Sequence, residues 1–237
     1  MKGQNVIARP RTSDQGMNVH SIFQTIQGEG PFSGSPAIFV RFAGCNLRCF
    51  FCDTDFDAGT IHTPEALAQK VANLQASIPR GNCYRLVLTG GEPMLQPLFD
   101  FIMFLNSFTN MPVDIETAGT VWPDRLTNVL ERVQIVCSPK TSNVHPEIKY
   151  RANAWKYIIR AGETDPKDGL PNKATQLGII DQRIYRPAIL SPDQIFVQPC
   201  DEGDVDKNKR NVDEAVHSAM RFGYRLSLQV HKLVGLP

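Results

Sequence analysis

Short β-branched or aromatic runs alternate with helical patterns along most of this chain, and that alternation restricts its fold more than any other feature. The runs are AIFVRFAG (37–44), RLVLTGG (85–91), VDIETAG (113–119), QIVCSPK (134–140), WKYIIR (155–160), IFVQPC (195–200) and RLSLQVHK (225–232). Each has the length and composition of a strand. Helical patterns fall between several of them. In TPEALAQKVANLQASI, Thr63 stands as N-cap, Pro64 takes the first helical position, and Leu67, Val71, Leu74 and Ile78 share one face. QPLFDFIMFLNSF (96–108), DRLTNVLERV (124–133) and NVDEAVHSAMRFGY (211–224) are the others. Strands alternating with helices imply βαβ crossovers and a parallel sheet, so the expected class is α/β. Residues 1–17 lack periodicity and read as a flexible arm, with Met17 as a candidate internal start. Residues 18–237 read as a single domain, in which 161–193, rich in Gly, Pro, Asp and Lys, forms an irregular insertion.

Charge and composition narrow the function. A net charge of +1 with no long basic run gives nucleic acid and membrane surfaces no electrostatic handle. No apolar run approaches the ~20 residues that span a bilayer. The polar N-terminus lacks a secretory core, so a reducing cytoplasm is the expected compartment. There, six cysteines read as thiols and metal ligands rather than disulfides. Cys83, Cys137 and Cys200 are scattered in or near apolar runs and read as core residues.

Polar residues collect where the apolar runs end: Thr89, Glu116, Thr117, Ser138, Lys140, Gln198, Gln229 and His231. Ligands of parallel α/β proteins bind at the carboxyl ends of strands, so five successive strands ending this way point to a shared pocket.

GCNLRCFFCDTD (44–55) puts Cys45, Cys49 and Cys52 in a C-x3-C-x2-C array just after a strand. Structural zinc needs a fourth ligand, for which His62 or Asp53 is nearby, although the chain has no second C-x2-C pair. A redox dithiol needs only two cysteines. A four-iron cluster held by three thiolates keeps one iron open to a small ligand, and spacing alone favours that modestly. LTGGEP (88–93) follows a strand with two glycines that let a ligand approach bare backbone, and Glu92 offers a carboxylate to a cationic group.

With FQTIQGEG (23–30), FVRFAGCNLRCFFCDTDF (39–56), TGGEPMLQ (89–96), IETAG (115–119), VCSPK (136–140), VQP (197–199) and SLQVHK (227–232), the chain resembles the radical S-adenosylmethionine superfamily. Within it, the resemblance is to the 7-carboxy-7-deazaguanine synthases of the queuosine-precursor (7-deazapurine) pathway, from about Asn18 to Pro237. It implies a partial, modified (β/α) barrel with helices outside. By the same resemblance Cys45, Cys49 and Cys52 hold a [4Fe–4S] cluster whose open iron is chelated by S-adenosylmethionine. One electron then breaks the sulfonium C–S bond to give a 5′-deoxyadenosyl radical, chemistry that belongs to the cofactor.

Phe51, Cys52, Asp53, Gly91, Glu116, Ser138, Pro139, Lys140, Gln198, Pro199, Cys200 and Asp201 are implied around S-adenosylmethionine, with Cys200 incidental rather than a fourth cluster ligand. Thr54 is implied as a Mg2+ ligand. The implied substrate is 6-carboxy-5,6,7,8-tetrahydropterin, contracted to 7-carboxy-7-deazaguanine with loss of ammonia. Its implied contacts are Ile26, Gln27, Gly28, Glu29, Arg41 as a fork for the carboxylate, Thr89, His231 and the α-carboxylate of Pro237. A homodimer and a one-electron donor such as flavodoxin complete the expectation. Two other readings stay open: another enzyme of the superfamily, such as a glycyl-radical activase, and a non-catalytic zinc or iron–sulfur module.

Overall fold

The computed structural model describes residues 7–52, 58–81, 84–176, 183–188 and 191–236. One nine-stranded sheet organises them, in the order β3-β1-β2-β4-β5-β6-β7-β8-β9. The strands are β1 (Met17–Ile26), β2 (Pro36–Phe42), β3 (Thr60–His62), β4 (Arg85–Gly90), β5 (Val113–Thr117), β6 (Val133–Cys137), β7 (Ala154–Ile159), β8 (Ile195–Pro199) and β9 (Arg225–Leu226). From β2 to β9 all pairings are parallel, whereas β1 runs antiparallel to both β2 and β3. The sheet is therefore mostly parallel and open, with different strands at its two edges, as a partial barrel requires.

Helices α1 (Pro64–Ser77), α2 (Leu98–Phe108), α3 (Pro146–Arg151), α4 (Val205–Phe222) and α5 (Val230–Leu233) complete the chain. The Thr63 hydroxyl accepts the Ala66 N–H at 3.1 Å and Pro64 opens α1, as the sequence predicts. Leu67 and Val71 are fully buried, each contributing roughly 2 kcal/mol by leaving water.

Strand alternation gives the sheet two unlike faces. Ile38, Val40, Phe42, Leu86, Leu88, Ile115, Ile135, Tyr157 and Val197 join α1, α2 and Ala215 of α4 in the main core. The opposite face carries two small apolar groups, Ala37–Phe39–Val87 and Val136–Ala154–Phe196. Toward the strands' amino ends the same face holds Arg85, whose Nε donates to Asp114 Oδ2 at 2.6 Å under the ring of Phe32. That face is thus plugged at one end, and its polar residues gather at the other.

Four expectations change. Residues 8–16 are not a loose arm: Ala8 N–H donates to Cys45 O, Arg11 N–H donates to Leu95 O, and Met17 is buried in β1. RLSLQVHK forms a strand only over its first two residues, because Ser227 turns inward to meet Gly30 and Gln198, and the chain then coils into α5. DRLTNVLERV is a kinked 3-10 segment, with Val129 at non-helical dihedrals. Helix α4 begins six residues before the periodic stretch, because Asp204 caps it by accepting the Lys207 N–H at 2.9 Å.

Candidate active site

At the carboxyl ends of the strands a cavity is lined by residues spread from Ile26 to His231. Its floor is set by the loop after β2. Gly91 N–H donates to Phe42 O at 2.9 Å and Glu92 N–H to Gly44 O at 3.0 Å, so the glycine pair zips onto the backbone leading into Cys45. A Cβ at Gly91 would lie 1.9 Å from Gly44 O, and one at Gly90, at φ +108°, would lie 2.4 Å from Phe42 N. The close backbone approach expected for a ligand is thus made first of all by the chain itself.

Cys45, Cys49 and Cys52 all line this cavity. Burial pushes the Cys45 thiol up to about 12, and the neighbouring Glu92, Cys49 and Cys52 add to the rise against one backbone hydrogen bond from Leu47. Cys49 is also raised by burial, opposed by Lys140 and Thr175. Such thiols keep their protons until a metal displaces them. Among the described residues no group of three His, Cys, Asp or Glu side chains is drawn around one metal-ion position. Three thiols from one loop that line the cavity without closing on a single metal-ion position suit a multi-iron cluster better than a closed zinc centre. Part of the 161–193 insertion backs their loop: Phe50 N–H donates to Thr175 O at 3.2 Å, and Cys49 bridges Gln176.

Glu92 lines the cavity and is also tied into the fold. It is 1% exposed, and its carboxylate accepts from Thr117 Oγ1 at 2.7 Å, Ala118 N at 2.9 Å and Met94 N at 3.0 Å. Its carboxylate ties its own loop to the loop after β5 while bordering the cavity. Glu92→Ala would leave these donors facing no acceptor and is expected to cost about 3 kcal/mol in a urea melt. Glu92→Gln keeps one acceptor oxygen and should cost less.

The far wall is a polar network. Thr89 Oγ1 donates to Glu116 Oε2 at 3.0 Å and Gln27 Nε2 to Glu116 Oε1 at 3.1 Å. Gln229 Nε2 donates to Glu29 Oε1 at 2.7 Å, and Lys156 Nζ donates to Glu29 Oε2. Burial pushes Glu29 upward, but Lys156, Gln229 and His231 together carry it down to about 2. Arg41 faces this wall from β2 with its guanidinium 4.8 Å above the Phe23 ring, and it makes no ion pair among the described residues. Lys140, its charge disfavoured by burial, donates to Ser138 O at 2.7 Å.

Ile26, Gln27, Glu29, Arg41, Phe51, Cys52, Thr89, Gly91, Glu116, Ser138, Lys140, Gln198, Pro199, Cys200, Asp201 and His231 line this cavity together. Gly28 lies behind the lining, its α-carbon covered by the His231 ring. Pro139 is buried and does not line the cavity. Asp53, Thr54 and Pro237 lie outside the described residues. Glu116, grouped by resemblance with the cofactor wall, bonds instead to Gln27 and Thr89 of the substrate group. Lys156 and Ile158 escaped the sequence reading; the available signal was a lysine flanked on both sides by apolar strand residues, where lysine is rare unless paired.

The family model of the Radical SAM superfamily matches residues 39–180. The chain is 43% identical to a 7-carboxy-7-deazaguanine synthase of Rhodospirillum rubrum, across 99% of both chains. It is 36% identical to the enzyme of that name from Rickettsia prowazekii, over 93% of this chain and 88% of that one. The crystal structure of QueE from Escherichia coli shares the fold, with a TM-score of 0.62 at 23% identity over 91% of this chain and 94% of that one.

Proposed function

We propose the reaction of this site from one premise: the chain belongs to the Radical SAM superfamily and, within it, to the 7-carboxy-7-deazaguanine synthase family. It is a lyase that contracts 6-carboxy-5,6,7,8-tetrahydropterin to 7-carboxy-7-deazaguanine with loss of ammonia. The observation that carries this reading to individual residues is that three thiols and the polar strand ends share one cavity.

Cys45, Cys49 and Cys52 would hold the [4Fe–4S] cluster, with S-adenosylmethionine against Phe51, Gly91, Ser138, Lys140 and the Gln198–Asp201 wall. When bound, that pair supplies a hydrogen-abstracting radical by one-electron cleavage of the sulfonium. The chain's own residues bind and aim the substrate. Arg41 offers a carboxylate its planar fork, and its guanidinium lies over the Phe23 ring, which supports it from below. Glu29 and Glu116 are acceptors for the 2-amino and N3–H donors of the pterin. Arg41 is the register partner of Thr89, and Thr89 bonds Glu116 on the next strand, so Arg41 and Glu116 stand two strand spacings apart, about 10 Å. A bicyclic ring with a carboxylate at one end and donors at the other matches that polarity.

Mg2+ held through Thr54, a homodimer, a one-electron donor such as flavodoxin and a cytoplasmic setting belong to the same reading. Among the described residues no helix is long and apolar enough to cross a membrane. The test is anaerobic reconstitution, reduction, and incubation with S-adenosylmethionine, Mg2+ and the carboxytetrahydropterin. About four irons and four sulfides per chain and a deazaguanine product are expected. An intact cluster with no such product would instead mean another reaction of the superfamily.

A further inference from the structure

Lys156 is 6% exposed, on the cavity face of β7, and neither composition nor family resemblance gave it a role. A lysine is seldom buried this deeply in a strand unless its ammonium is matched. Here it is matched twice: Nζ donates to Glu29 Oε2 and lies 4.0 Å from Glu116 Oε1. Glu29 comes from the loop after β1 and Glu116 from the end of β5, so the ammonium adds a charged link between two elements that otherwise meet through the Gln27 Nε2 bond to Glu116 Oε1. Gln229, just before α5, takes the other oxygen of Glu29.

We propose that Lys156 is the positioning residue of the substrate site, holding the Glu29 and Glu116 carboxylates at a fixed separation so that together they present an acceptor edge to a 2-amino-4-oxopyrimidine ring. This rests on the pterin reading above. Lys156 acts through Glu29 and does not touch the reacting atoms. Two unlinked carboxylates in one cavity would repel and splay, or one would take up a proton and become a donor facing the ring's own donors. The charged groups facing the pair are Lys156 from β7, Glu116 from β5, His231 from α5 and, acting on Lys156, Lys140 after β6.

The sign of the pH effect follows from these partners. With Lys156 present, Glu29 stays ionised down to about pH 2. Without it, burial, the largest influence on that carboxyl, is opposed only by Gln229 and His231. Glu29 then protonates at a higher pH than in the wild type, and acceptor capacity is lost as pH falls through that point.

The test uses the reconstituted full-length enzyme and the carboxytetrahydropterin. Lys156→Met is expected to raise KM about 30-fold or more, with a smaller change in kcat, because a buried charge partner has been removed. An acidic limb in 1/KM that the wild type lacks should emerge, because Glu29 then takes up a proton at higher pH. Lys156→Arg, which keeps the charge, should show no such limb. Glu29→Gln should raise KM without any limb, and Lys156→Met/Glu29→Gln should match Glu29→Gln alone. If Lys156→Met does not fold, the double variant, in which position 29 no longer carries a charge, supplies the comparison with Glu29→Gln. KM values that add in the double variant, or a Lys156→Met enzyme with unchanged KM and no acidic limb, would overturn the proposal. Lack of product from the wild type would remove the pterin reading itself, a separate outcome.

Discussion

Gly91→Ala is expected to leave a folded protein that binds little iron and turns over at least about 100-fold more slowly, the cost of moving a catalytic group by an ångström. The reason is steric rather than conformational. Gly91 does not occupy the left-handed region, so alanine suffers no backbone strain there; its methyl carbon would instead sit 1.9 Å from Gly44 O and 3.3 Å from Cys45 N. Both contacts are backbone, and neither can rotate away. Relief requires breaking the Gly91 and Glu92 N–H bonds to the Phe42–Gly44 segment, which moves Cys45 relative to Cys49 and Cys52. Gly34→Ala is the matched control. Gly34 lies at φ +89° with nothing within 4 Å of an added methyl carbon, so alanine there should cost about 1 kcal/mol of stability and no iron. Iron and sulfide analysis with the visible absorbance of the reconstituted proteins checks both. A Gly91→Ala protein with full iron content would refute the zipper.

Much of this is legible in the amino-acid order alone, and the boundary of legibility is physical. Strands β2 and β4 to β8 are readable because each is largely buried on both faces, which leaves a mainly apolar or β-branched run, broken by charge as at Asp114 and Glu116 in β5 and at Lys156 in β7. Strand β1 escapes because most of it is only partly buried, so MNVHSIFQTI shows no such run. The last segment misleads for the opposite reason. Its Leu, Val and alternating polar residues look like a strand, yet their job is tertiary. Ser227 accepts the Gly30 N–H at 2.9 Å, Gln229 holds Glu29, and Lys232 pairs with Asp201 at 2.6 Å. The three cysteines are readable from spacing because they share one short loop. Lys156 is not, since its meaning depends on two carboxylates 127 and 40 positions away, brought together only by the sheet order. Sequence proximity shows a loop-borne site, whereas a site assembled across strands becomes visible only with register.

The segment that closes the cavity supplies the second large effect. Gly28→Ala is expected to raise the substrate KM by about 10- to 100-fold while costing less than about 1.5 kcal/mol in stability. A methyl group at Gly28 would lie 1.9 Å from His231 Nδ1 and 2.8 Å from its Cγ. Here the obstructed atoms belong to a side chain, so the fold survives by turning the imidazole away. The ring cannot simply follow the backbone outward, because Val230 N–H donates to Gly28 O at 3.0 Å and keeps α5 against the loop. Two losses then coincide: His231 leaves the cavity wall, and Glu29 loses one of the positive neighbours that keep it ionised. His231→Ala alone should reproduce most of the KM change. Gly28→Ala/His231→Ala should bind no worse than His231→Ala, because the new methyl group fills the space that the ring has vacated. Additive losses in the double variant would mean that Gly28 serves the substrate through its own backbone, independently of the histidine that covers it.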